Sequence, residues 1–198
     1  ALTIDSHLVN LKKECKIAIL ADERSLTGLD EFPCDDLEDT SHKGRSAEDG
    51  TDFDENPDIL TYNHILRWMY DSCYESNLEA DIIYAPDISS DPDKLAKKYS
   101  VILVPALYSS TESTIEALRV YVKSGGHLLL GFRSIYSDEE LKIYTGLKPY
   151  KVTDLVGGYY DQFTSPVNTK VTLSDGSSFR TAHWMELLID RKSTRLNS

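Results

Sequence analysis

Four short apolar runs, spaced by segments of helical periodicity, restrict this chain more than any other feature. The runs are Lys16-Ile-Ala-Ile-Leu-Ala21, Ala80-Asp-Ile-Ile-Tyr-Ala-Pro86, Val101-Ile-Leu-Val-Pro105 and His127-Leu-Leu-Leu-Gly-Phe132. A continuous run lacks the in–out alternation of a half-exposed strand and suits a strand covered on both faces. Between the first two, Tyr62, Leu66, Met69 and Cys73 recur at helical spacing, with Ile65 and Trp68 widening the stripe. Asp91 to Lys98 reads as a short polar helix with Pro92 in its first turn. Ser113 to Lys123 reads as another, built on Ile115, Leu118 and Val122 and stopped by Gly125-Gly126. Strand and helix alternate, which requires right-handed βαβ crossovers and a parallel sheet covered by helices. The expected fold is therefore α/β and three-layered, with a mostly parallel sheet.

A length of 198 residues fits one domain. From Gly28 to Pro57 the periodicity stops and acids accumulate, so residues 28–58 are expected to form a long acidic loop. Past Arg133 only short extended pieces are expected, near Gly157-Gly158, Tyr159 to Phe163 and Lys170 to Leu173. The net charge of −12 argues against nucleic acid, which needs a clustered basic face, and against anionic membranes. No apolar run approaches the roughly 20 residues that span a bilayer. Cys15, Cys34 and Cys73 are odd in number and show no C-x-x-C spacing. The expectation is reduced thiols in a cytoplasmic setting, with neither a disulfide framework nor a zinc site.

Open α/β sheets place working residues past the carboxyl ends of their strands. After the first strand stand Asp22, Glu23, Arg24 and Ser25, with no Gly-rich phosphate cradle. After the fourth stands Gly131-Phe-Arg-Ser134, where a strand–turn–helix nucleophile would sit. Ser134 is the one nucleophile candidate, and the nearest histidine in sequence, His127, begins the strand at its opposite end. His7, His42, His64, His127 and His183 show no metal-ligand spacing. The many carboxylates read as solvated surface rather than a paired hydrolytic site. Trp68, Tyr62, Tyr70 and Tyr74 read either as core and helix-flank packing or as an aromatic interface patch.

Several segments together resemble the middle domain of glycoside hydrolase family 42 β-galactosidases. They are Tyr62-Asn-His-Ile-Leu-Arg-Trp-Met-Tyr-Asp71, Leu78-Glu-Ala-Asp81, Val101-Ile-Leu-Val-Pro-Ala-Leu-Tyr108, Tyr121-Val-Lys-Ser-Gly-Gly-His-Leu128, Ser137-Asp-Glu139 and Tyr160-Asp-Gln-Phe-Thr164. The resemblance covers about Ser6 to Leu188. It implies an amidotransferase-like, flavodoxin-like fold that has lost its nucleophile, with a role in holding a homo-trimer together. It implies no catalytic residue, metal or cofactor in this chain, because the family's two catalytic glutamates lie on a separate barrel that meets the galactoside substrate. It also implies that the domain walls the pocket of a neighbouring subunit, with Arg24 and Arg133 as the candidate residues. Residues 1–14 resemble the segment leaving that barrel, and 15–189 the domain itself. Asp190 to Ser198 resembles a translated sequencing adapter and is expected to lie outside the fold. The competing readings are an amidotransferase-like enzyme using Ser134 and a divergent carbohydrate-binding module.

Overall fold

The computed structural model describes residues 14–31, 62–164, 170–180 and 184–190. Strands β1 (Ile17–Ala21), β2 (Ala80–Tyr84), β3 (Val101–Val104) and β4 (His127–Leu130) form one parallel sheet in the order β2-β1-β3-β4. This is the α/β sheet expected from the alternation of runs and helices. β1 is central, and Ala18, Ile19 and Leu20 are all buried, so both faces of that strand are covered.

On one face, Ala18, Leu20, Ile83, Ile102 and Val104 meet Ile88, Tyr99, Ile115, Leu118 and Tyr121. Those partners come from or flank α3 (Ala85–Ile88), α4 (Pro92–Lys98) and α5 (Glu112–Lys123), numbered after α1 (Glu23–Glu31) and α2 (Tyr62–Glu75). Asp91 caps α4 by accepting the Lys94 N–H at 3.2 Å, and Pro92 occupies the first turn. Thr111 caps α5 through the Thr114 N–H at 3.1 Å, and Gly125 closes it in the left-handed region at φ 93°. On the opposite face, Ile19 and Ala80 pack on Cys73, with Leu66 and Met69 of α2 beside them. Asn77 follows α2 at φ 54°, and Leu78 N–H returns to Cys73 O at 2.8 Å, an asparagine-terminated Schellman closure.

Gly28 does not begin the acidic loop. It lies inside α1, which runs to Glu31. One local cap and one tertiary contact account for this helix. Asp22 accepts the Ser25 N–H at 2.7 Å and its hydroxyl at 2.8 Å, which caps the helix. A Cβ on Gly28 would come within 2.5 Å of the Tyr108 ring, so the missing side chain is what lets α1 lie against that ring. The rest of the acidic segment, the stretch before Glu14, Cys34, His7, His42, His183 and residues 191–198 lie outside the described residues.

β4 ends two residues earlier than its apolar run. Gly131 N–H still bonds Val104 O at 2.7 Å, but the backbone then turns, with Arg133 at φ 50° and Ile135 at φ 55°. Residues 135–137 continue beside 107–108 through Ile135 N–H to Leu107 O at 2.6 Å and Tyr136 N–H to Tyr108 O at 3.1 Å. The chain then makes α6 (Thr153–Val156), β5 (Gly158–Tyr159) and β6 (Phe163–Thr164). A hairpin of β7 (Lys170–Thr172) and β8 (Ser178–Arg180) follows, then β9 (Met185–Glu186) and β10 (Ile189–Asp190). β9 pairs with β6 and β10 with β5, so Asp190, first residue of the adapter-like tail, is bridged to Gly158. Among the described residues no helix is long and apolar enough to cross a membrane.

Candidate functional site

The carboxyl end of the sheet carries a third apolar cluster. Leu29, Tyr62, Ile65, Tyr108, Tyr136 and Tyr160 bury one another there, with Trp184 packed at the side. Arg133 is inserted into this cluster and is only 5% exposed. Its Cζ lies 4.5 Å from the Trp184 ring centroid, 4.9 Å from Tyr108 and 5.8 Å from Tyr136. Tyr108 and Tyr136 are stacked at 5.5 Å. A guanidinium is the cation best suited to such a place, being flat, weakly hydrated and able to lie on ring faces.

A carboxylate completes the arrangement. Glu186 Oε1 accepts the Arg133 backbone N–H at 2.7 Å and the Trp184 indole N–H at 3.3 Å. Burial pushes the Glu186 carboxyl above the usual range, against the lowering effect of its hydrogen bonds and of the Arg133 charge. Burial also pushes the Tyr160 hydroxyl up, helped by the Glu186 charge, and holds the Lys148 ammonium down. Lys148 Nζ sits 4.8 Å from the Tyr136 centroid. Beside this cluster opens a cleft of about 520 Å³ between Phe132 and Ser134 of the turn, Pro149 and Val156, and Glu186 and Leu188 of the C-terminal segment.

The sign of the Glu186 shift gives a test. A carboxyl raised on folding is easier to ionise in the unfolded chain. Its contribution is therefore greatest below the unfolded value of about 4.3 and declines as pH rises through the folded value. Glu186→Gln keeps the acceptor and removes the buried charge, so its urea midpoint at pH 7 should equal or exceed the parent's. That advantage should shrink as pH falls below the carboxylate range. Glu186→Ala leaves the Arg133 N–H without its acceptor and should cost about 1–3 kcal/mol. A Gln variant as damaged as the Ala variant would refute this assignment.

The sequence candidates fall in different surroundings. Arg24 is exposed, in the first turn of α1. Arg133 is the buried cation just described. Ser134 is 2% exposed, and its hydroxyl accepts the Leu107 N–H at 3.1 Å, which ties the turn to the end of β3. His127 begins β4, at the far end of the strand from that turn. Among the described residues Ser134 serves as a structural hydroxyl, with His127 at the opposite end of its strand. Cys73 is packed in the core, and Cys15 and Cys73 are free thiols. The aromatic residues of α2 divide. Tyr62 is buried and accepts the Asp22 N–H at 2.8 Å, with its hydroxyl pushed up to about 12 by burial, whereas Trp68, Tyr70 and Tyr74 are exposed. Glu186, Trp184, Tyr136 and Tyr160 escaped sequence reasoning. The available signal was slight, a Trp-x-Glu in an extended segment. Among the described residues no group of three or more His, Cys, Asp or Glu is placed to hold a metal ion.

The arrangement joins a buried arginine to aromatic rings and its backbone N–H to a buried carboxylate. Residues 36–197 match the family described as the β-galactosidase trimerisation domain. The β-galactosidase BgaH of Haloferax lucentense is 30% identical over 135 residues, which is 67% of this chain and 19% of that protein. LacZ of Heyndrickxia coagulans is 29% identical over 105 residues, 53% of this chain and 15% of its own length. The solved β-galactosidase of Halorubrum lacusprofundi shares the fold, with a TM-score of 0.69 at 22% identity over 91% of this chain and 23% of that one. The chain thus spans less than a fifth of those two curated relatives. The family match covers most of its length: the chain belongs to the β-galactosidase trimerisation domain family of glycoside hydrolase family 42.

Proposed function

We propose that this chain is the assembly domain of a β-galactosidase. It holds three copies of a longer polypeptide together, and terminal β-D-galactosides are hydrolysed on a barrel that this chain does not include. The family match over residues 36–197 carries the reading. The carboxyl edge supports it, because Glu186 accepts two N–H groups from its own chain and Ser134 accepts a third. The proposal keeps Arg24 and the shell around Arg133 at the wall of a neighbouring subunit's pocket. Arg24 is the member that points outward, and Arg133 acts there by fixing Trp184 and Tyr136. The free thiols of Cys15 and Cys73 suit a cytoplasmic parent.

Light scattering of the purified chain over a concentration series tests the assembly role. A species of three chains is expected. A single chain at every concentration would overturn it. The same preparation should leave an aryl β-galactoside unhydrolysed, and turnover that copurified with the chain would overturn the division of labour.

A further inference from the structure

Among the described residues, two exposed apolar surfaces lie on different elements. The first is a stripe along the β2 edge of the sheet. α2 returns antiparallel to the strands between β1 and β2, and such a crossover is right-handed. At 3.6 residues per turn, a helix that sets Ile65, Met69 and Cys73 on the sheet turns Tyr70 and Tyr74 to the flank above β2. Strand alternation puts Ile82 and Tyr84 on the same side of β2 as Ala80, which touches α2. These four are exposed by 41% (Tyr70), 72% (Tyr74), 46% (Ile82) and 51% (Tyr84). Among the described residues β2 has a strand partner on one side only.

The second surface is the β7–β8 hairpin. Val171 and Phe179 are register partners and are both exposed, as is Leu173. Every residue from Lys170 to Gly176 is exposed. The turn is well made, with Asp175 accepting the Ser177 N–H at 2.8 Å and its hydroxyl at 2.6 Å, and Gly176 at φ 86°. Yet a lone two-stranded hairpin is marginal in water, so a prepared arm of this kind needs a surface to lie on. Lys170 and Arg180 outnumber Asp175 in the arm, in a chain of net charge −12. The stripe is bordered by the exposed acids Glu75 and Glu79.

A ring of three cannot be closed by one self-complementary patch. It needs two different patches that meet head to tail. We propose that the Lys170–Arg180 arm of one copy seats on the Tyr70, Tyr74, Ile82 and Tyr84 stripe of the next. The contact places Val171 and Phe179 on the tyrosines, with the basic end of the arm at the border of the stripe. It rests on the assembly reading above, with a second copy of this chain as the occupant.

Tyr74→Glu and Phe179→Glu, made separately in the full chain, test it. Both residues are exposed, so each variant should keep the parent's far-ultraviolet circular dichroism and lose the three-chain species in light scattering. Mixing the two should restore association through the one intact contact and stop at two chains. Tyr74→Phe should leave the three-chain species in place and serves as the check that position 74 tolerates change. A parent that assembles while either glutamate variant still forms three chains would overturn this contact and leave the assembly role standing. Failure of the mixture to associate would overturn the head-to-tail arrangement. A parent that never assembles would overturn both readings.

Discussion

Alanine at position 131 is expected to destabilise the domain by about 3 kcal/mol or more, the upper end of overpacking costs. An added Cβ would stand 1.7 Å from the Pro105 carbonyl oxygen and 2.9 Å from that of Val104. Both are backbone atoms, so no rotamer change relieves the clash. β4 would have to part from β3 at the last ladder hydrogen bond, Gly131 N–H to Val104 O. Against a total of about 5–15 kcal/mol, such a loss lowers the urea midpoint sharply. Gly146→Ala is the control, because its Cβ would meet only the Tyr150 ring, at 3.4 Å, and its midpoint should barely move. Equal midpoints for the two variants would contradict the close approach of β3 and β4.

Tyr108→Ala should cost about 3–5 kcal/mol, the usual range for deleting a large buried aromatic. Tyr108 is fully buried, stacks on Tyr136, carries Arg133 across its face and receives α1 at Gly28. Its removal opens a cavity beneath a buried cation, so the charge loses a ring as well as packing. Near-ultraviolet circular dichroism of the folded variant should lose the contribution of the stacked Tyr108–Tyr136 pair. Tyr108→Phe keeps the ring and should stay much closer to the parent. An alanine variant within about 1 kcal/mol of the parent would show that the cluster does not hold this edge together.

The parallel sheet was legible because its strands are short runs such as Ile17–Ala21 and Val101–Val104, and only burial on both faces requires such runs. The helix caps at Asp91 and Thr111 and the stops at Asn77 and Gly125 follow from local chemistry. α1 was not legible. Leu26 and Leu29 are too few to announce a helix, and Gly28 argues against one. What settles it is a local cap at Asp22 together with the ring of Tyr108, which is far away in sequence. The site was legible only in part for the same reason. The turn at Gly131 to Ser134 marked the place, but the side chains around Arg133 come from Tyr108, Tyr136, Trp184 and Glu186, whose meeting depends on tertiary structure. Arg133 itself read only as a candidate for a pocket wall, because burial of arginine among three rings has no signature in the local pattern. For Tyr62, Tyr70 and Tyr74 the spacing allowed two readings, and the crossover direction of α2 separates the buried ring from the two on its flank.

The strand order also sets a timetable. β1 leaves the ribosome first, yet its neighbours in the sheet are β2 and β3, with Ile17 in register with Ala80 on one side and Val101 on the other. At roughly 5–20 residues per second, the central strand waits several seconds for the partner on each side. During that wait Ile17–Ala21 is a nascent apolar segment with nothing to pair with. Vectorial synthesis therefore leaves the first-made strand of this sheet unpaired for longest, and exposes it to whatever else the emerging polypeptide or the cell presents.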